Sequence, residues 1–260
     1  MHYCNNMKEI ISKTFSDEDK VEVLSLYEKY ELAKNKDIPM FGNSFYPPNI
    51  WKWFEVNTGS KSFKVESNGI FEEAERRMIA FNNIYETPYP MILIKISHNS
   101  KFSNLSHRDY LGGILALGIE RNKIGDLLVE GNCCYVPVHE DVKDYIVYNI
   151  DKIGKASCKV EIFDDYEELP KFKFKEEVIL VSSLRLDGLV SKICNTSRSK
   201  AQELIDQGQV LVDYVKIRDK SQELKGGERI TIRGSGKFIL GEKIGNSKSG
   251  RIKIIIKKYT

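Results

Sequence analysis

No stretch of this 260-residue sequence approaches the ~18 consecutive apolar residues of a membrane-spanning helix; the apolar run at residues 90–96 is interrupted by Lys95. Residues 1–20 are polar and charged, without the apolar core of a secretion signal or the Arg-rich pattern of a transit helix. A cytoplasmic location without a membrane partner is therefore expected. The five cysteines (Cys4, Cys133, Cys134, Cys158, Cys194) are odd in number and show no C-x-x-C spacing, and only four histidines are scattered along the chain. Neither a disulfide framework nor a zinc site is indicated, and no metal or cofactor is expected. Buried thiols in a reducing compartment fit this pattern.

What is present describes a globular protein of more than one domain. Hydrophobic residues make up 41% and charged residues 30% of the chain, and its length exceeds the usual size of one domain. A net charge of +3 conceals an asymmetry. Residues 178–260 hold 17 Lys and Arg against 8 Asp and Glu, which leaves 23 against 29 for residues 1–177. A basic C-terminal third on a mildly acidic body suggests a polyanionic partner gripped from that end.

Residues 17–34 read as a helix with an acidic first turn and apolar positions at Val21, Leu24 and Tyr27. Residues 41–58 carry Pro47, Pro48 and a dense aromatic set: Phe41, Phe45, Tyr46, Trp51, Trp53 and Phe54. Those rings suit packing against the preceding helix better than stacking on bases, since aromatics dominate small cores; docking of a protein partner on the same segment is a further reading. Residues 62–66 read as a strand, 67–69 as a turn and 70–81 as a helix bearing Arg76 and Arg77. Next come a buried strand at 91–96 and a capping box, Ser106-His-Arg-Asp109, opening a helix over 110–117 that stops at Gly118. Strands at 126–130 and 133–138 flank a Gly131-Asn132 turn. A helix over 141–153 and an alternating strand at 157–163 complete a β-α-β-β-α-β order, the split βαβ or ferredoxin-like plait. Residues 164–180 are charged, include Pro170 and lack a clean period, which reads as a linker.

In the basic third, Leu186, Leu189, Val190 and Ile193 fall at i, i+3, i+4 and i+7, the mark of a helix with one apolar face. Ser197 is placed to cap a second helix, 198–206, whose buried face is Ala201, Leu204 and Ile205. Gly208 stands where a left-handed cap is wanted. Val210 and Val212 pair with Val215 and Ile217 across an Asp213-Tyr214 turn, and residues 229–233 alternate apolar with polar. The exposed leftovers are basic: Arg185, Arg198, Lys200, Lys216 and Arg218 gather at helix starts and the hairpin. Free backbone N–H groups at a helix start make 197–200 suited to phosphate, and guanidinium adds bidentate contact. Ser197, Ser199, Gln209 and Arg233 complete the candidate polyanion contacts of this region.

Four strings carry a family resemblance: S-L-R-L-D-G-L-V (183–190), S-R-S-K-A-Q-E-L-I (197–205), G-Q-V-L-V (208–212) and G-G-E-R-I-T-I-R-G-S-G-K-F (226–238). Together they resemble the RNA-binding domain named after ribosomal protein S-four. Asp213 stands where that family commonly has asparagine, placing a negative charge near the binding turn. Upstream, N-G-I-F-E-E-A-E-R-R (68–77), L-S-H-R-D-Y-L-G-G-I-L-A-L-G-I-E-R-N-K-I-G-D (105–126) and I-G-K-A-S (153–157) resemble the bacterial YlmH family. The resemblance implies an α+β chain in four parts. An N-terminal α/β region (1–82) precedes a ferredoxin-like, RRM-like βαββαβ plait (83–163), a linker (164–180) and an S-four-type (αL) RNA-binding domain with a basic C-terminal extension (181–260). It also implies a ribosome-associated protein, monomeric away from the ribosome. Such a protein contacts ribosomal RNA and tRNA on the large ribosomal subunit during rescue of stalled translation. Within the plait, phosphate contacts are expected from Arg108, Arg121 and Lys123 near helix ends, because the strands lack the aromatic signature of stacking sheets and residues 133–138 offer only Tyr135.

Enzyme-like motifs are present but incomplete. His107-Arg108-Asp109 imitates a kinase catalytic loop, yet Ile114 stands where that loop needs asparagine. Gly234-Ser-Gly236 lacks a third glycine and a following helix. Arg185-Leu-Asp187 resembles the catalytic motif of pseudouridine synthases, but only positions 188–260 follow Asp187 and they are needed for the S-four fold; a structural partnership with a nearby basic group suits it better. A methyltransferase would need a strand, Gly-rich loop and helix that the chain does not offer. An RNA-modifying enzyme built on residues 1–160 would have to draw on Asp109, Asp126, His139 and Glu140. A non-catalytic factor is the expectation.

Overall fold

Ser16 opens the first long helix, its hydroxyl accepting the Asp19 N–H at 3.3 Å. The computed structural model describes residues 2–99, 105–165 and 169–259, with side chains from Met7 onward. It divides into two compact units, one up to Lys171 and one from Phe172. The first unit begins with α1 (His2–Thr14), α2 (Asp17–Lys36), β1 (Met40–Phe41), α3 (Pro48–Thr58), β2 (Val65–Asn68) and β3 (Met78–Phe81). The three strands form a sheet in the order β1-β3-β2. Leu26, Tyr30, Ile50, Phe54, Ile79 and Phe81 fill the space between this sheet and the helices.

The aromatic segment is core, as its composition suggests. Phe45 and Phe54 are fully buried, Tyr46 and Trp51 nearly so. The Trp51 indole donates to the Glu75 carbonyl at 2.8 Å, and Trp53 packs edge-on against Phe15. These contacts leave no exposed aromatic platform at Trp51 for protein docking.

The helix expected over 70–81 is not formed. Asn68 accepts the Ile70 N–H at 2.8 Å and turns the chain, Ile70 lies in the left-handed region at φ 69°, and Met78-Ile-Ala-Phe81 runs as a strand buried along its whole length. A short run that is apolar on both faces carries no helical period, and a central position in a sheet satisfies it. The neighbouring strand lies at Val65–Asn68 rather than at 62–66. Between β2 and β3 the backbone is tied to the plait by Asp126, whose Oδ2 accepts the N–H groups of Glu75 (2.5 Å) and Arg76 (2.8 Å). Replacing Asp126 by alanine removes a charged acceptor from two backbone donors. We expect a loss of about 2 kcal/mol in urea unfolding, with RNA affinity of the folded protein unchanged.

The plait follows: β4 (Met91–His98), α4 (His107–Leu115), β5 (Leu128–Glu130), β6 (Cys133–His139), α5 (Glu140–Asn149), β7 (Lys152–Ile153) and β8 (Ala156–Ile162). Its antiparallel sheet runs β5-β6-β4-β8-β7, the order of a split βαβ plait with one short strand added. Ser106 and Asp109 form the expected capping box at α4. α5 ends earlier than its apolar period suggests, because Ile153 leaves the helix to pair with Ala156 across a turn in which Gly154 takes φ 60°. Ile94, Ile96, Cys134 and Val136 meet Tyr110, Ile114 and Ile146 of the helices on one face. Burial drives the Cys134 thiol pKa well above its ordinary value, in keeping with a structural thiol; the side chain of Cys4 lies outside the described residues.

The second unit contains β9 (Phe174–Val181), α6 (Leu186–Ile193), α7 (Arg198–Asp206), β10 (Val210–Val212), β11 (Val215–Lys216), β12 (Arg229–Ile232), β13 (Gly236–Asn246) and β14 (Ile252–Tyr259). The sheet order is β11-β10-β12-β13-β14-β9, antiparallel throughout. One sequence expectation is corrected here and a second gains its structure. The last part of the supposed linker is strand β9, in register with β14 from Phe174 opposite Tyr259 to Val181 opposite Ile252; residues 166–168 of that linker lie outside the described residues. The basic C-terminal extension is likewise the long hairpin β13–β14. Charged residues hid both, because each strand buries only part of one face and keeps Lys and Glu in solvent. Leu186, Leu189, Val190, Ala201, Ile205, Phe238, Leu240, Ile254 and Ile256 share the core between sheet and helices.

Candidate nucleic-acid interface

The structure builds its basic surface around a buried carboxylate. Asp187 sits in the first turn of α6 and is fully buried. Arg198, the first residue of α7, donates to it through Nε and one terminal nitrogen, each at 2.9 Å. Arg185, which precedes α6, reaches the same carboxylate at 3.3 and 3.1 Å, and Gln202 adds a bond at 3.0 Å. Burial alone would raise the pKa of Asp187; the bonds from Arg198, Arg185 and Gln202 outweigh it and hold the carboxyl well below the usual range. The two arginine side chains stay 37% and 53% exposed. One buried anion therefore fixes two arginines side by side with their outer edges in solvent. That arrangement lowers the ordering cost of gripping a phosphate.

The start of α7 lies in the same place. The Ser197 hydroxyl accepts the Lys200 N–H at 3.1 Å, so Ser197 caps the helix. Ser199 and Lys200 are exposed, with the Lys200 ammonium 2.7 Å from Glu203 in a solvent-facing pair. The backbone of Gln209 follows α7 and receives the Arg233 N–H at 2.9 Å, while its side chain donates to Gln207 at 2.8 Å. Lys216 is exposed on β11 with its stem passing over Gly208. Arg218, in the loop after β11, and Arg233, directly after β12, are exposed. Asp213 and Tyr214 both take positive φ, 45° and 70°, the requirement of a tight type I′ hairpin. The Asp213 carboxylate accepts the Arg229 N–H at 3.1 Å, so the negative charge noted in the sequence is engaged in closing the turn.

Some of the site was not foreseen. Lys237 donates to the Tyr214 hydroxyl at 2.8 Å and lies over its ring. A cleft of about 240 Å³ beside Arg198 is lined by Ser182, Ser183, Ser191, Lys192 and Arg251. Only the fold brings Arg251 there, by pairing β14 with β9. In the plait, Arg108 is exposed on α4. Arg121 instead turns inward, its guanidinium donating to the carbonyls of Ile124 and of Gly125 (3.2 Å), where it holds the loop before β5. Lys123 pairs with Asp141 at 3.3 Å. Of the four polar residues that a catalytic pocket would draw on, three have local work: Asp109 caps α4, Asp126 holds the β2–β3 connection, and His139 accepts the Asp141 N–H at the start of α5, where the fourth, Glu140, is exposed.

Residues 85–167 match the family model described as "Putative RNA-binding domain in YlmH", and residues 184–230 match the S4 domain. The molecule is thus an α+β protein carrying a YlmH-type domain followed by an S4 domain. Along most of its length it is homologous to the "Ribosome-associated protein quality control protein P2" of Bacillus subtilis (strain 168), with 26% identity over 206 residues, 77% of this chain and 80% of that protein. The solved structure titled "Cell division protein ylmH from Streptococcus pneumoniae" has 23% identity and a TM-score of 0.48, covering 60% of this chain and 97% of its own.

Proposed function

We propose that this protein is a non-catalytic factor that binds ribosomal RNA and tRNA at the large ribosomal subunit and acts in the rescue of stalled translation. The observation that carries the RNA contact is the arginine pair fixed on Asp187 at the exposed start of α7. Arg185, Arg198, Lys200 and Lys216 grip the phosphates of a folded RNA element, and Arg218 and Arg233 extend the positive surface. The likeness to a ribosome-associated quality control protein supports the ribosomal setting. The cytoplasm follows as its location.

Replacing Arg198 and Lys200 together by alanine is expected to weaken RNA binding and to lower the slope of log affinity against log salt by about 1 to 2. Filter binding at several salt concentrations reads both. Because Arg198 also serves Asp187, the pair Lys200→Ala and Lys216→Ala provides a second test that leaves the buried carboxylate intact. Unchanged affinity and slope in both pairs would refute the site. Sedimentation of the unmodified protein with ribosomes at low salt should place it with the large subunit, and recovery only in the free fraction would contradict the ribosomal reading.

A further inference from the structure

The plait sheet has one face covered by α4 and α5. Its other face is closed over only part of its width. Leu93 is fully buried there, Pro137 also is buried, and Phe45 approaches Pro137 where Gly125 leaves room for both. Beyond that cover the face opens. Lys95 on β4, Tyr135 on β6 and Phe163 just past β8 share this open side, as the register requires: Lys95 lies opposite both Tyr135 and Glu161, and the Phe163 N–H donates to the Leu93 carbonyl at 2.9 Å.

The three side chains form one constellation. The rings of Tyr135 and Phe163 meet edge to face with centroids 5.1 Å apart. The Lys95 ammonium lies 5.7 Å from the Tyr135 centroid and 5.8 Å from that of Phe163. All three are partly exposed, and Ser97, Cys133 and the exposed Lys159 continue the accessible surface toward the end of the strands. A core pair that merely sealed the sheet would be met by apolar neighbours. Here a cation stands over the rings on the central strand. The Lys159–Glu161 pair beside them, at 2.6 Å, is solvent-exposed and adds little net charge.

Aromatic rings with a cation on an open sheet are the chemistry that holds unpaired bases: every base offers a π-face, and a lysine beside it meets the phosphate. We infer that this open half-face binds an unpaired nucleotide of the RNA partner, its base stacking on the Tyr135–Phe163 pair and its phosphate held by Lys95. The inference rests on the RNA-binding reading above, and it departs from the sequence expectation that the plait meets RNA through phosphates alone. Tyr135 stood isolated in the sequence, and only the pairing of β4 with β6 and β8 brings Phe163, 28 positions away, against it.

Two contributions to binding are then separable. The arginine-rich start of α7 works through charge and is salt-sensitive, whereas stacking contributes affinity with little salt dependence. The test titrates the full chain with a fluorescein-labelled single-stranded RNA oligonucleotide of mixed sequence and with a fully paired RNA duplex. Tyr135→Leu combined with Phe163→Leu is expected to weaken single-strand binding by about tenfold or more, leaving duplex affinity and the salt slope unchanged. Tyr135→Phe should bind as the unmodified chain does.

Equal single-strand affinity in the double variant would overturn the inference. So would an unmodified chain that binds the duplex but not the single strand, an outcome that leaves the RNA-binding reading standing. Binding of neither RNA would remove both. If circular dichroism shows that the double variant does not fold, ultraviolet crosslinking of the same oligonucleotide to the unmodified chain decides. An adduct on the peptides holding Tyr135 or Phe163 supports the site, and adducts confined to other peptides refute it.

Discussion

Replacing Asp187 by alanine is expected to destabilise the C-terminal unit by about 3 kcal/mol, since the charge-assisted bonds to a buried carboxylate vanish together. The cost stays below that of a wholly buried ion pair because both arginines already touch water and can be re-solvated. For a unit of this size the loss corresponds to a fall in melting temperature on the order of 10–20 °C. RNA affinity should fall as well, even though Asp187 is negative and removing it raises the net charge. An electrostatic account without preorganisation requires the opposite sign, so filter binding below the melting transition separates the two.

The same carboxylate gives the unit a defined acid response. Its folded-state pKa lies below the unfolded value of about 4. The stabilisation it provides is therefore complete above that value and is lost progressively as the pH falls through the folded pKa. Urea unfolding of the unmodified protein should show stability declining on acidification below about pH 4. In Asp187→Asn, which keeps the shape without the charge, the decline should be shallower. An identical decline in both proteins would exclude Asp187 as its source.

The second large effect is expected in the first unit. Phe54 is fully buried, with ring centroids 5.1 Å from Trp53 and 5.6 Å from Phe81. Truncation to alanine opens a cavity that the surrounding helix and sheet fill only in part, at a cost of about 3–5 kcal/mol. For a unit of about 170 residues this lowers the melting temperature by roughly 10 °C. Well below that transition RNA affinity should be unaltered, whereas a base-stacking role for the aromatic segment would require it to fall. Phe54→Leu should recover most of the stability.

The elements legible in the sequence were those whose signals are local. The i, i+3, i+4, i+7 pattern of Leu186, Leu189, Val190 and Ile193 and the caps at Ser106 and Ser197 translate directly into backbone hydrogen bonds, and all appear in the structure. Local signals are missing where tertiary contact decides. Residues 78–81 become a strand only because neighbours cover both faces, and 174–181 become one only because β14 is there to pair with them. Asp187 was recognisable as the partner of a basic group, but the choice of two arginines and Gln202 depended on how α6 and α7 pack. Arg121 shows a related limit: its charge marked it for phosphate, and only the folded turn shows its guanidinium bonded to backbone carbonyls. Phe163 carried no signal at all until the strands were set beside one another.

The pairing of β9 with β14 brings the two ends of the second unit alongside each other, Phe174 opposite Tyr259. A segment whose entry and exit meet can be cut out, transplanted or re-spliced as a cassette with little cost in chain closure. The useful cut lies outside the stretch that matches the S4 model. A fragment of residues 184–230 would part Leu186 and Val190 from Phe238, Leu240, Ile254 and Ile256, whereas one from 172 to 260 keeps the sheet whole.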